Sequence, residues 1–306
     1  MNNTNTLPPK AIISAILCNV IFGTAFPMIK IGYELFKVTD DIFMKMLFAG
    51  IRFTIAGLLL LLFGAVKNKK IPKFSAKKLP LVIVVSLVYI SLQYVFFYVG
   101  LSNTSGASGS VISSSSVFMA VILAHFIYKD DKLTILKFIG AIVGFGGVLF
   151  AVLSNESFEN KVSFMGEGLM AIAALSSVIG SVLSKYTSKT IEPSTLAAYN
   201  LFFGGIMLTI PGIIFTKDAL VVAPLGILTL LYLCFVSAFG YTVQSKLFKE
   251  YSISKVSVYS FVTPVSGAFF SGIFLGENIL RWEYLLALAL VSVGIIAVNY
   301  RKADKT

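Results

Sequence analysis

Long apolar stretches, separated by short polar connections, recur along the whole 306-residue chain. An α-helix needs ~20 mostly apolar residues to cross about 30 Å of hydrocarbon. Ten stretches meet this requirement, at residues 11–31, 43–65, 79–101, 105–127, 134–153, 165–186, 194–216, 222–245, 256–275 and 283–300. A transmembrane β-barrel would instead show alternating segments of about 10 residues. The pattern therefore predicts an all-α membrane protein with ten transmembrane helices.

The composition excludes a soluble globular domain. Hydrophobic residues make up 57% of the chain and charged residues 13%, whereas soluble domains carry about 25% charged residues. The net charge of +11 could suggest a nucleic-acid partner. Nucleic-acid binders, however, concentrate Lys and Arg on one folded face, and here these residues lie between apolar stretches. The lipid bilayer is therefore the expected partner, and no nucleic acid is expected.

The distribution of basic residues predicts the orientation in the membrane. If the N-terminus is cytoplasmic, eighteen Lys and Arg residues lie on the cytoplasmic side and six on the outer side. Cytoplasmic loops are enriched in Lys and Arg, so both termini are predicted to be cytoplasmic, in the inner or plasma membrane. The polar residues 1–10 do not resemble a cleaved signal peptide. The first helix is therefore expected to be a permanent span.

The chain matches itself when it is shifted by 147 residues. Six pairs of similar residues coincide, namely Gly57 and Gly204, Tyr94 and Tyr241, Ser105 and Ser252, Asp130 and Glu277, Leu133 and Leu280, and Gly147 and Gly294. Because each copy holds five helices, an odd number, the two copies must have opposite orientations. We predict two inverted five-helix repeats, 1–153 and 154–306, an arrangement that places substrate sites near the membrane midplane.

Six short motifs follow one another along the chain, namely Phe22-Gly23, Lys30, Arg52-Phe53, Thr263-Pro264-Val265, Leu275-Gly276-Glu277 and Ser292-Val293-Gly294. In this order they resemble the EamA-type branch of the drug/metabolite transporter (DMT) superfamily. The first half departs from the family pattern, with Val117 where Pro is usual and Lys129-Asp130 in place of Gly-Glu. The resemblance implies alternating access to a central cavity lined mainly by helices 1, 3, 4, 6, 8 and 9.

Polar side chains inside these helices are the candidates for binding substrate, because such groups are costly in hydrocarbon and are often functional. The candidates are Asn19, Thr24, Gln93, Tyr94, Ser115, Ser177, Ser181, Tyr241, Gln244 and Tyr259. A membrane serine commonly serves helix packing instead. The amides are stronger candidates, because they need more hydrogen bonds than a helix backbone supplies. Neutral amides, hydroxyls and rings suit a small polar or zwitterionic solute such as an amino acid.

A second group of residues is predicted to act in gating or in structure. Arg52 is the only charged residue well inside a span. It either recognises an anion or has a structural role, in which it pairs with a loop acid such as Asp40 or Asp41 or bonds backbone carbonyls, and the family resemblance favours the structural role. Lys30 and Lys185 end helices 1 and 6 at opposite membrane faces, where long side chains also reach to the interface for simple solvation. Two prolines inside cavity helices, Pro27 and Pro264, are expected to kink them.

The acidic residues argue against one coupling mechanism. All 14 lie in loops or at helix ends, so proton coupling through a midplane carboxylate is disfavoured. Glu167 and His125 are the remaining candidates for coupling, and His125 is more simply interpreted as a structural hydrogen-bonding group. Uncoupled exchange or export stays open.

Enzyme function is not expected. Residues 106–109 spell Gly-Ala-Ser-Gly, like the Gly-x-Ser-Gly string of rhomboid proteases, but the single histidine follows 17 residues later in the same helix. At 1.5 Å per residue that is roughly 25 Å away, too far to activate a serine. We expect no catalytic residues, metal site or cofactor.

The sequence thus predicts a secondary transporter of small organic metabolites such as amino acids, expected to be an exporter and to act as a monomer or homodimer. Two alternatives stay open: an exporter of amphipathic cations or drugs, and an exchanger of anionic metabolites. The absence of a midplane acid weighs against the cation, and Arg52 facing the cavity would favour the anion.

Overall fold

The computed structural model describes residues 7–103, 106–128, 131–153, 164–275 and 282–299. Within this part of the chain there are ten long helices. They are α1 (Pro9–Leu35), α2 (Ile42–Asn68), α3 (Ala76–Leu101), α4 (Gly106–Ile127), α5 (Ile135–Leu153), α6 (Phe164–Thr187), α7 (Pro193–Phe215), α8 (Pro224–Glu250), α9 (Ile253–Leu275) and α10 (Trp282–Asn299). Each coincides with one predicted span to within a few residues. The predicted all-α membrane fold is therefore confirmed.

The helices have the length and composition of membrane spans. Seven of them, α1, α2, α3, α6, α7, α8 and α9, are long and apolar enough to cross a membrane, and α4 and α5 contain shorter apolar segments at Ile112–Ile127 and Ile135–Gly147. Their outer faces expose large apolar side chains, such as Leu62, Phe63 and Val66 near the end of α2. Such surfaces are stable against lipid and unfavourable in water.

Prolines and acidic caps begin several helices. Pro9, Pro193 and Pro224 each stand at the start of a helix, where a missing N–H costs nothing and the fixed φ suits the first turn. The Asp41 carboxylate accepts the backbone N–H of Phe43 at 3.1 Å in the first turn of α2. These residues define where the chain leaves a loop and enters a span.

The start of α7 is capped by an acidic side chain. Glu192 accepts a hydrogen bond from the backbone N–H of Thr195 at 2.8 Å and another from the Ser194 hydroxyl. Burial acts to raise the pKa of Glu192, but these hydrogen bonds outweigh it and hold the pKa below its usual value. The cap is therefore ionised at neutral pH and favourably placed at the positive end of the helix.

The pairwise packing of the helices repeats between the two halves. Helix α2 packs along α7 and α5 along α10, α1 packs on α8 and α9, and α6 packs on α3 and α4. Helices α1 to α5 correspond to α6 to α10. The contacts of α1 with α8 and α9 therefore correspond to those of α6 with α3 and α4, as expected for a duplicated chain. The opposite membrane orientation of the halves stays a prediction, and four residues of the repeat register lie outside the described residues, namely Ser105, Asp130, Glu277 and Leu280.

Glycines set the closest helix contacts. A Cβ at Gly140 of α5 would lie 2.8 Å from the carbonyl oxygen of Gly294 in α10, and one at Gly294 would lie 2.6 Å from that of Gly140. A Cβ at Gly144 would lie 2.5 Å from Cε2 of the Phe261 ring. The small residues of the sequence 140–144 thus form a packing face, as such spacings do between membrane helices.

We predict that Gly140→Leu strongly destabilises the protein, because its side chain would push α10 away from α5, and overpacking typically costs about 1–3 kcal/mol. The matched control is Gly146→Leu in the same helix, because a Cβ there meets nothing within 4 Å. Thermal unfolding in detergent, followed by size-exclusion chromatography, compares the two. Equal melting temperatures for both variants would contradict this packing.

The predicted orientation can be tested with cysteines. Both native cysteines, Cys18 and Cys234, are buried, so an impermeant maleimide should not modify them in intact cells. Lys217→Cys in the loop before α8 should react from outside, whereas Lys70→Cys in the loop after α2 should react only after permeabilisation. Both lysines are exposed. The reverse pattern would show that the termini are outside.

Candidate functional site

Two tyrosines that the 147-residue register pairs meet at the centre of the bundle. The hydroxyl oxygens of Tyr94 on α3 and Tyr241 on α8 are 3.5 Å apart. If a pseudo-twofold axis relates the two halves, a residue can contact its own counterpart only near that axis. The pair therefore lies near the axis that relates the two halves.

Aromatic rings surround this pair, and we call Phe22, Phe53, Tyr89, Tyr94 and Tyr241 the central aromatic cluster. The Tyr241 ring centroid lies 5.3 Å from that of Tyr89, 5.8 Å from Phe22 and 6.3 Å from Phe53, all edge to face. The ring centroids of Phe53 and Tyr94 lie 4.7 Å apart. Helices α1, α2, α3 and α8 thus contribute rings to one site, which offers an apolar surface edged with hydroxyls.

A π-turn at Leu87–Leu92 of α3 shapes the cluster. In a regular α-helix with 3.6 residues per turn, Tyr89 and Tyr94 would point about 140° apart. The wider turn brings residues five apart towards the same side, so that both tyrosines contact Tyr241. Sequence reasoning missed Tyr89 for this reason. Tyr89 lies four residues before Gln93, on the same face of a helix already assigned to the cavity, and this spacing could have identified it.

Amide and hydroxyl groups lie beside the rings. The Tyr89 hydroxyl donates to Oε1 of Gln244 at 2.8 Å and also interacts with the Ser181 hydroxyl. Ser181 donates to the carbonyl of Ser177 one turn earlier at 2.9 Å. Oε1 of Gln93 is buried and accepts no hydrogen bond from any described residue. The structure thus brings Gln244 and Ser181 to the cluster and leaves an acceptor unused on α3.

Arg52 is buried against the same cluster, with 3% of its surface exposed. Its Cζ lies 4.3 Å from the centroid of the Phe53 ring and 6.0 Å from that of Tyr94. Its Nε is buried and has no hydrogen-bond partner among the described residues. The backbone carbonyl of Arg52, in contrast, accepts a hydrogen bond from Sγ of Cys234.

The structure does not pair Arg52 with Asp40 or Asp41, one of the alternatives that the sequence leaves open. Asp40 pairs with Lys45 at 3.0 Å. Asp41 caps Phe43 and accepts the Thr216 hydroxyl at 3.1 Å. Both acids are used at the start of α2, about ten residues, or roughly 15 Å of helix, from Arg52. Neither acid therefore supplies a counter-charge to Arg52.

Asn19 and Thr24 bridge helices. The Asn19 amide accepts from the Thr263 hydroxyl on α9 at 2.9 Å and donates to the carbonyl of Ala15 at 2.8 Å. The Thr24 hydroxyl lies 2.7 Å from the Tyr232 hydroxyl on α8. The structure thus places both residues in interhelical hydrogen bonds that fix α1, and their predicted role in binding stays a prediction.

Ser115 and Tyr259 lie away from the cluster. Ser115 donates to the carbonyl of Ile112 at 2.5 Å and lines a cavity of about 200 Å³ between α4 and α5, together with Phe118, Ile142 and Phe145. Tyr259 is buried among apolar residues of α1, α4, α6 and α8.

The two lysines predicted to gate lie near helix ends, and the two prolines lie inside helices. Lys185 donates to the carbonyl of Tyr251 between α8 and α9, and its Nζ lies 5.2 Å from the Tyr128 ring after α4. Lys30 is exposed near the end of α1. Pro264 follows a 3₁₀ turn at Val258–Phe261, which accommodates the missing N–H and the ring, whereas Pro27 lies within a continuous α1.

A buried ion pair closes the same end of the bundle as Lys185. Lys137 donates to Asp131 at 2.6 Å, and Asp131 accepts the backbone N–H of Ser254 at 3.2 Å and its hydroxyl. Burial acts to raise the pKa of Asp131, but the hydrogen bonds from Lys137 and Ser254 outweigh it and lower the pKa. The loop before α5 is thereby attached to the start of α9.

The other candidate groups have structural partners. His125 accepts the backbone N–H of Leu133 at 3.0 Å, in agreement with its interpretation as a structural hydrogen-bonding group. Among the described residues, no group of three or more His, Cys, Asp or Glu side chains is placed to hold a metal ion.

Comparison with known proteins identifies the architecture. The EamA-like transporter family matches residues 9–153 and again residues 164–300. The chain is 32% identical over 266 residues to the uncharacterized transporter YvbV of Bacillus subtilis, covering 85% of this chain and 84% of that protein. It is 24% identical over 306 residues to a probable amino-acid metabolite efflux pump of Escherichia coli, covering 95% and 96%.

One solved crystal structure has the same fold. It superposes on 93% of this chain, and on 96% of its own, with a TM-score of 0.75 at 15% sequence identity.

We predict that the Tyr89–Gln244 hydrogen bond couples α3 to α8. Tyr89→Phe and Gln244→Leu should each lower the melting temperature, because each leaves one buried polar group without its partner, at about 1–3 kcal/mol. The double variant should lose much less than the sum of the two single losses. Strictly additive losses would show that the two side chains do not interact.

Proposed function

The chain belongs to the EamA-like transporter family, and we propose that it is a secondary transporter that exports small organic metabolites such as amino acids across the inner or plasma membrane. The observation that carries the proposal is the meeting of Tyr94 and Tyr241 beside neutral polar groups at the centre of a duplicated bundle. A relative of nearly equal length is named as a probable amino-acid metabolite efflux pump.

The chemistry of the centre suits a zwitterion with an apolar part. The rings of the central aromatic cluster can cover an apolar side chain, and the hydroxyls of Tyr94 and Tyr241 can donate or accept hydrogen bonds. Gln244 keeps its amide nitrogen as a donor while its oxygen accepts from Tyr89. These groups bind by shape and hydrogen bonding and require no change of protonation.

Alternating access would open the two ends of the bundle in turn. At the end where α1 begins, Leu7, Phe248 and Ile253 pack in one buried cluster, beside the contact of Lys185 with Tyr251. Opening this end requires these apolar contacts to separate and Lys185 to release the carbonyl. Pro27 and Pro264 would provide the points at which α1 and α9 bend.

Coupling through a buried carboxylate is not part of the proposal. Asp131 is already paired with Lys137 at the end of the bundle, and Glu192 caps α7. Export driven by the gradient of the solute itself, or exchange of one solute for another, requires no titratable group at the centre.

One observation favours a second candidate, an exporter of amphipathic cations, because aromatic rings attract cations through their faces. In this structure, however, Arg52 already lies over the Phe53 ring. A second positive charge at that position would be repelled, so we rank metabolite export first.

Flux measurements test the proposal. Purified protein in proteoliposomes should exchange at least one labelled amino acid from a panel of twenty, and cells that overproduce the protein should release that amino acid faster. Tyr94→Phe should slow flux about fivefold if its hydroxyl contributes about 1 kcal/mol to solute binding.

Tyr199→Phe is the matched control, because Tyr199 is bonded to the Pro72 carbonyl away from the centre, and its flux should equal that of the wild type. Absence of flux for every amino acid, with folded protein in the vesicles, would refute the proposed substrate class.

A further inference from the structure

Arg52 combines deep burial with an unsatisfied hydrogen-bonding capacity. It is 3% exposed, its Nε has no partner among the described residues, and its guanidinium forms no ion pair with any of them. A buried charge without a partner destabilises a protein strongly. Such a position is tolerated when an anion or water completes the site.

The acidic residues nearest in sequence cannot serve as that partner. Asp40 and Asp41 have other partners at the start of α2. The groups that the structure places against the guanidinium are neutral, namely the rings of Phe53 and Tyr94. No acidic side chain among the described residues pairs with it, so the protein leaves this positive charge uncompensated.

The packing of the guanidinium prepares it for a planar anion. Its N–H donors lie in the plane of the group, in a fork that matches the two oxygens of a carboxylate. The guanidinium packs on the Phe53 ring, with Cζ 4.3 Å from the ring centroid, and its Nε has no partner among the described residues. Packing on a ring limits rotation of the group, so less entropy is lost when a carboxylate binds.

We propose that Arg52 binds the carboxylate of the transported solute at the edge of the central aromatic cluster. This inference rests on the proposed function and adds the chemical group that the site selects. The carboxylate takes the place of the charged partner that Arg52 lacks, and the apolar part of the solute lies towards Tyr94 and Tyr241, which share the cluster with Phe53.

Matched pairs of compounds test the proposal on the wild-type protein. Binding of each of the twenty L-amino acids and of its L-amino-acid amide is measured by thermal shift and by competition with the flux substrate. The amide keeps the amine and side chain but lacks the negative charge. We expect the acids that bind to do so about tenfold or more tighter than their amides.

Substitutions of Arg52 give a second, independent measurement. Arg52→Gln should abolish the preference for the acid over the amide, and Arg52→Lys should retain part of it, because the charge remains but the fork is lost. Lys217→Gln removes the same charge from an exposed loop and should leave the preference unchanged. If Arg52→Gln does not fold, the acid–amide comparison on the wild-type protein still tests whether the site recognises a carboxylate.

The outcomes separate this inference from the proposed function. Equal affinity for acid and amide, or an unchanged preference in Arg52→Gln, overturns the role of Arg52 while flux of amino acids still supports transport. Binding and flux of an organic cation such as tetraphenylphosphonium, with none for any acid, overturns the carboxylate and the proposed substrate class but leaves a transporter. No flux of any compound overturns both proposals.

Discussion

The close approach of α2 and α7 is the contact on which the rest of the bundle depends. A Cβ at Gly57 would lie 2.5 Å from the backbone nitrogen of Phe202, and one at Gly205 would lie 2.4 Å from that of Thr54. Only glycine allows two membrane helices to pack at this distance, and dispersion then replaces the hydrophobic effect that is absent in lipid. Because α2 and α7 correspond in the two halves, their contact joins the halves. Helix α2 also contributes Phe53 to the central aromatic cluster, beside rings from α1, α3 and α8.

The spans and their packing faces could be predicted because lipid imposes a simple rule. Every backbone group must bond within its own helix, so a span is visible as a long apolar run, and ends such as those of α2 and α7 follow from Asp41 and Glu192. Pairing partners could not be read in the same way. Gly140 marks a close contact, but only the folded chain shows that its partner is Gly294 of α10.

The candidate site was predictable where it rests on the repeat and not where it rests on local backbone geometry. The 147-residue register identifies Tyr94 and Tyr241 from the amino-acid order alone. Tyr89 reaches the cluster because of a π-turn, and its ring packs on Gly180 of α6. The hydrophobic periodicity of the sequence does not predict such a turn. The surroundings of Arg52 were unpredictable for a related reason, because the acids that are near it in sequence are not near it in space.

The π-turn in α3 also makes the two halves of the protein unequal. Its counterpart, α8, is an uninterrupted α-helix from Pro224 to Glu250, whereas α3 changes its winding at Leu87–Leu92. If the two halves were identical and exchanged conformations, the inward-open and outward-open states would have equal energy. The backbone of α3 and α8 differs at this turn, so the two end states of an inverted repeat would differ in energy. Removing the π-turn by deleting one residue would then change the balance between the two states, and not only the shape of the site.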